Sequence, residues 1–245
     1  MSQARTEDPR ARTAQLARDL GAVYGDELAS VVLYGSAARG EYRPGSDVNV
    51  LVLLRALSAA ALRRASALAR DWVAEGNPPP LMMSVDEWRR SADVFPIEVA
   101  DMRDAHVVVA GDDPFTGLVV SPADLRLQCE KELKGKQIQL RERYLLFAGQ
   151  PEELGELLVR SFSTFLVLFR TVLRLSGQPA PAEAEAVVRR LAERVGMDPA
   201  PLLEIHRART AAQKPRPEAE SPLVTGYLDA VERVVDYVDR LVHGA

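Results

Sequence analysis

The chain has one cysteine, Cys129, in 245 residues. That excludes an internal disulfide framework and any cysteine-based zinc cluster, and it leaves Cys129 as a helix core residue. Only three histidines occur, His106, His206 and His243, and no short spacing joins them into a metal pair. Cationic excess is missing too. Lysine and arginine number 31 against 35 acids, for a formal charge of −4, which argues against general nucleic-acid binding. No long hydrophobic run escapes charge. The most apolar stretch, Leu154 to Leu175, contains Glu156, Arg160, Arg170 and Arg174, so it reads as a buried helix and not a membrane span. Met1 to Arg12 lacks an apolar signal core, and the expected location is cytoplasmic. Neither a G-x-x-x-x-G-K-[ST] phosphate loop nor a serine-hydrolase elbow is present.

What is there centres on Val31 to Leu54. Val31–Tyr34 and Val48–Leu54 are β-branched, aliphatic or aromatic runs that predict two buried strands. Between them stand Gly35-Ser36, Arg39-Gly40 and Ser46-Asp47-Val48-Asn49. Side chains two apart in a strand share a face, so Asp47 and Asn49 point together while Val48 and Val50 point into the core. A glycine lets the backbone approach an anion closely, and the neighbouring serine hydroxyl can donate to it. Two oxygen-bearing side chains facing such a turn suit a nucleotide with a divalent metal.

This pattern resembles the polymerase-β-like nucleotidyltransferase superfamily, over about the first half of the chain. The resemblance implies a mixed sheet with flanking helices, a Gly35-Ser36 turn on the terminal phosphates of a nucleoside triphosphate, and Ser46 beside it. It also implies carboxylates holding Mg²⁺ or Mn²⁺, with Asp47 the first ligand. Asn49 stands where the family has a second aspartate. An amide oxygen can coordinate Mg²⁺ but brings no charge, so metal binding should be weaker. The third carboxylate of the family comes from a later strand. Phe95 to Met102 alternates apolar and polar residues and is predicted as that strand, with Glu98 as the ligand and Asp101 as its competitor at the strand end, where it reads better as a turn residue or cap. Arg39 either neutralises triphosphate charge or pairs with Glu41 or Asp47. Arg43 reads as a loop cation.

Around this core, Leu16, Leu20 and Tyr24 form one helical stripe ahead of the first strand. Ser58 caps a helix to about Glu75 with Leu62, Ala65, Leu68, Ala69 and Trp72 inward, and Gly76 to Pro80 ends it. Leu81–Met83 is a short strand, Ser84 to Glu87 a capping box, and Val107–Gly111 a last strand. After a boundary near residues 112–121 only helical patterns remain. They run from Ser121-Pro122 to about Ala148, Pro151 to Leu175, Ala182 to Val195, Asp198-Pro199 to about Ala212, and Ser221-Pro222 to near His243-Gly244. Lys214 to Glu218 reads as a solvated loop. The expected architecture is therefore an α/β (α+β) nucleotidyltransferase domain over 1–115 and an all-α helical bundle over 116–245.

A bundle behind such a sheet is similar to the small-molecule, aminoglycoside-type nucleotidyltransferases. That resemblance implies a glutamate–lysine pair serving the acceptor hydroxyl and the triphosphate. Glu132 and Lys136 are the matching pair, four apart in the first bundle helix; the same spacing also suits a surface ion pair. Lys131 and Lys134 read as solvated. Gly135 in mid-helix costs about 1 kcal/mol against alanine and points to close approach by a backbone or a ligand. The expected activity is transfer of AMP from ATP to a hydroxyl of a small molecule or a protein. The alternative is a nucleotide-binding, regulatory or toxin–antitoxin-type interaction protein with a weakened metal site. The apolar bundle surface is compatible with a homodimer.

Overall fold

The structure is a computed structural model and describes residues 8–40, 42, 47–211 and 213–241. Ser46, Glu41, Arg43 and the end of the last expected helix fall outside the described residues. Two compact units divide the chain, Met1–Ser121 and Pro122–Ala245.

In the first unit, helix α1 (Pro9–Tyr24) starts with Asp8 accepting from the Arg10 amide at 3.0 Å and with proline at its first position. It leads into β1 (Leu28–Tyr34), the short α2 (Ser36–Arg39) and β2 (Asn49–Leu54). Then come α3 (Ala59–Ala74), β3 (Leu81–Ser84), α4 (Val85–Arg89), α5 (Pro96–Asp104) and β4 (His106–Gly111). The sheet order is β3-β2-β1-β4, with β1 antiparallel to both β2 and β4 and with β2 parallel to β3. Both faces are covered, which is why β1 and β2 are apolar at nearly every position. On one face Val31, Leu33, Val50, Val52 and Leu54 meet Leu16, Leu20 and Tyr24 of α1 and Ala61, Ala65 and Trp72 of α3. On the other, Val32, Leu51 and Leu53 meet Trp88, Val99, Met102 and Phe115. The Ser84 capping box forms as expected, whereas Leu62 turns outward from α3 and Ala61 takes the inner position.

One expected strand is a helix. Phe95 to Met102 alternates, yet α5 starts at Pro96, a favourable first helical position, and carries Glu98 in its first turn. Its buried residues Ile97, Val99, Ala100 and Met102 recur at helical spacing.

The second unit is entirely helical among its described residues: α6 (Pro122–Phe147), α7 (Pro151–Leu175), α8 (Ala184–Val195), α9 (Ala200–Ala208) and α10 (Pro222–Arg240). Helix α7 is its axis, with Phe162, Phe165, Phe169 and Leu173 almost wholly buried. Cys129 is buried on α6, as its apolar surroundings require. No described helix is long and apolar enough to cross a membrane.

Candidate functional site

Strand β1 ends at Tyr34, and the next residue, Gly35, adopts φ 79° and ψ −148°. Only glycine takes that conformation without strain. The Gly35 amide donates to the Ala105 carbonyl at 3.2 Å, while its own carbonyl accepts from the Ala38 and Arg39 amides, both at 3.1 Å. The turn is thereby fixed from both sides, and Gly40 in the left-handed region closes α2.

The facing side is built by β2. Tyr34 pairs with Asn49, so Asn49 lies beside the glycine turn. A Cβ added at Gly35 would stand 3.5 Å from the Asn49 amide nitrogen, which puts that side chain directly over the turn. Val48 is fully buried and Asp47 is exposed. By strand alternation Asn49 shares the sheet face of Leu51 and Leu53, the face on which α4 and α5 pack, and Asp47 lies just before the strand begins. Neither Ser36, Asp47 nor Asn49 has a side-chain hydrogen bond or ion pair with another described residue. Their polar groups therefore remain open to a ligand.

Two residues to which sequence reasoning gave other roles hold this site in place. Asn77, buried in the Gly-Asn-Pro turn after α3, accepts from the Val48 amide at 3.4 Å and donates to the Trp72 carbonyl at 3.1 Å. It therefore pins the chain between Asp47 and Asn49. The signal was an asparagine before prolines, which reads equally as a plain loop. Asp101 was expected as a turn or cap residue. It lies inside α5, and its carboxylate meets the Arg39 guanidinium at 2.7 Å with both side chains largely buried. Arg39 also donates to the Asp101 carbonyl at 3.2 Å. Arg39 is thus neither paired with Asp47 nor a free phosphate cation; it locks α2 to α5.

Glu98 stands exposed in the first turn of α5, on a helix and not on a strand beside β2. The β3 residues on the ligand face are Leu81 and Met83, which cannot bind a cation. Among the described residues no three His, Cys, Asp or Glu side chains gather closely enough to hold a metal ion. One carboxylate and one amide fit a single Mg²⁺ that arrives with a triphosphate and takes most of its ligands from phosphate and water. They do not fit a resident two-metal set.

In the second unit, Glu132 and Lys136 share α6 but form no ion pair, and Lys136 reaches Gln139 at 3.4 Å. Lys136 lines a groove of about 310 Å³ between α6 and α7, with Arg143, Glu153, Arg160 and Thr164. Lys134 is exposed, as expected, and in addition bridges Glu130 at 3.3 Å and Asp239 at 2.8 Å. Gly135 has nothing within 4 Å of the position its Cβ would take, so no neighbour in the chain accounts for it.

This sheet, with its glycine-serine turn and Asn49 at the start of β2, is similar to the nucleotidyltransferase domains of the polymerase-β-like kind. Residues 15–97 match the family described as the nucleotidyltransferase domain. The chain as a whole is similar in fold to spectinomycin adenyltransferase AAD(9) from Enterococcus faecialis, solved with ATP and spectinomycin. That likeness has a TM-score of 0.59 at 10% identity, and covers 91% of this chain and 98% of the other. No curated protein sequence matches the chain.

Proposed function

We propose that the first unit binds ATP and that the protein transfers its AMP moiety to a hydroxyl group, most simply on a small molecule. The observation that carries this reading is the fixed Gly35 turn with Ser36 at the start of α2 and Asn49 over it, neither side chain having a partner among the described residues. The AAD(9) structure, which holds ATP and a small-molecule acceptor on the same fold, supports it. The Gly35 turn and the Ser36 hydroxyl would take the terminal phosphates. Asp47 and Asn49 would hold the Mg²⁺ carried by the nucleotide, whose chemistry is to offset charge on the phosphate oxygens. The acceptor oxygen bonds to the α-phosphorus, the bond to the β-phosphate oxygen breaks, and pyrophosphate leaves.

A second reading has its own support. Asn49 in place of a carboxylate, with Leu81 and Met83 on the ligand face of β3, favours a module that binds nucleotide and turns it over slowly or not at all. Calorimetry with ATP, with and without Mg²⁺ or Mn²⁺, followed by pyrophosphate release over a panel of aminocyclitols and aminoglycosides, separates the two. Transfer predicts binding that Ser36→Ala weakens and release with at least one acceptor. Binding without release in every case establishes the second reading, and absence of ATP binding ends both. Asn49→Asp should tighten Mn²⁺ binding in the presence of ATP; an unchanged affinity would show that position 49 does not face the ion.

A further inference from the structure

Helix α6 carries large apolar side chains on two opposite faces. Its inner face, with Leu125, Cys129, Leu133, Gln137 and Leu140, is buried within the second unit. At ~100° per residue the opposite face is centred on positions 127, 131, 138, 142 and 145. There Leu127 is 64% exposed, Ile138 55%, Leu145 77% and the adjoining Leu146 69%. Four large apolar side chains stand on this outward side of the helix, interspersed with Lys131, Gly135 and Glu142, more than the single exposed residues normal on a surface. Gly135 has open space over its Cβ position.

This face is self-complementary. Gln128, Lys131, Gly135, Ile138, Glu142 and Leu145 alternate at spacings of three and four, the pattern of a helix that packs along its length on another. Placed antiparallel to itself about a two-fold axis between residues 136 and 137, the helix sets Leu127 against Leu146, Lys131 against Glu142, and Ile138 against Gly135. Each pairing occurs twice, as a two-fold contact demands. Lys131 and Glu142 have no ion-pair partner among the described residues, whereas the flanking Lys134 and Arg141 are engaged by Asp239 and Glu232 of α10. The charges left over are the ones that meet across the axis. Gly135 sits where the two helices cross, and its missing side chain leaves room for Ile138.

We infer that the outward face of α6 is the interface of a homodimer, its occupant a second copy of the same helix running antiparallel. A two-helix contact is small beside the ~1,600 Å² of a standard interface, so the dimer should dissociate in the micromolar range. The inference does not depend on nucleotide chemistry.

Sedimentation velocity of the full chain over about 1–200 µM tests it, with circular dichroism confirming the fold of each variant. The wild type should pass from monomer to dimer. Ile138→Glu, at an exposed position, should weaken the dimer about tenfold or more. Lys131→Glu should weaken it, and Lys131→Glu with Glu142→Lys should restore it, because only the antiparallel register places those two residues opposite each other. Gly135→Ala should raise the melting temperature of the dilute chain and weaken the dimer. A wild type monomeric at every concentration overturns the inference, including the case where another part of the same chain covers this face. So does a dimer indifferent to Ile138→Glu and to the charge exchange, or a Gly135→Ala chain that dimerises as well as the wild type.

Discussion

Arg39 shows how one side chain can serve a site without touching what binds there. Its guanidinium is committed to Asp101 at 2.7 Å and largely withdrawn from water, so its charge is already balanced. Removing the carboxylate leaves a buried cation whose remaining bond to the Asp101 carbonyl cannot compensate it. Asp101→Asn should therefore cost about 2–4 kcal/mol in urea unfolding. It should also loosen the Gly35 turn that α2 extends, so ATP affinity should fall with stability. A neutral result in both would mean the pair is dispensable. Cys129 makes a different point at the same scale. Burial pushes its thiol from the usual 9.0 up to about 12. The folded state thus favours the protonated form, and this contribution is complete below about pH 9 and lost as pH rises from there toward 12. Since the thiolate is the reactive species, Cys129 should resist an aromatic disulfide reagent at pH 8 in the native chain. It should react at one thiol per chain in denaturant.

Among the elements, α7 depends on a residue whose role is invisible in periodicity. A methyl at Gly155 would overlap the Pro215 carbonyl and press on the Pro217 ring. The loop read from sequence as solvated therefore rests on α7 at that one gap. Gly155→Ala should destabilise the protein by about 1–3 kcal/mol, although alanine is the better helix former, and a melting temperature at or above wild type would refute the contact. The contrast with Gly135, where space is open, explains what a sequence can carry. Strands β1 and β2, the Ser84 capping box and the five helices of the second unit were legible because long apolar runs, caps and prolines act locally. Helix α5 was not: over the five residues from Phe95 to Val99 an alternating pattern satisfies a strand, and only Ala100 and Met102, buried in register with Ile97 and Val99, reveal the helical period. That local error displaced Glu98 from the site. Gly35, Ser36, Asp47 and Asn49 were recoverable because glycine geometry and strand parity fix them. Asn77 and Asp101 were not, since their partners lie 29 and 62 residues away along the chain.

For the whole molecule, each unit contains its own interior, and this bears on how nucleotide should act on stability. The first unit's sheet is filled on both faces by side chains from within residues 16–115. The second unit buries Leu133, Leu154, Phe162, Phe169, Leu202, Tyr227 and Val234 among its own helices. A unit of this size can bury enough apolar surface to fold alone. Residues 122–245, produced separately, should therefore be strongly helical and unfold cooperatively. ATP should leave that fragment's melting temperature unchanged. In the full chain the site proposed for the same ligand lies in the first unit, so at about 100 times its dissociation constant ATP should stabilise the first unit by about 2.7 kcal/mol. Calorimetric scans with and without ATP should then resolve a transition that moves and a transition that stays. A fragment that is unstructured alone, or two transitions that shift together, would show that the units unfold as one cooperative body despite their separate cores.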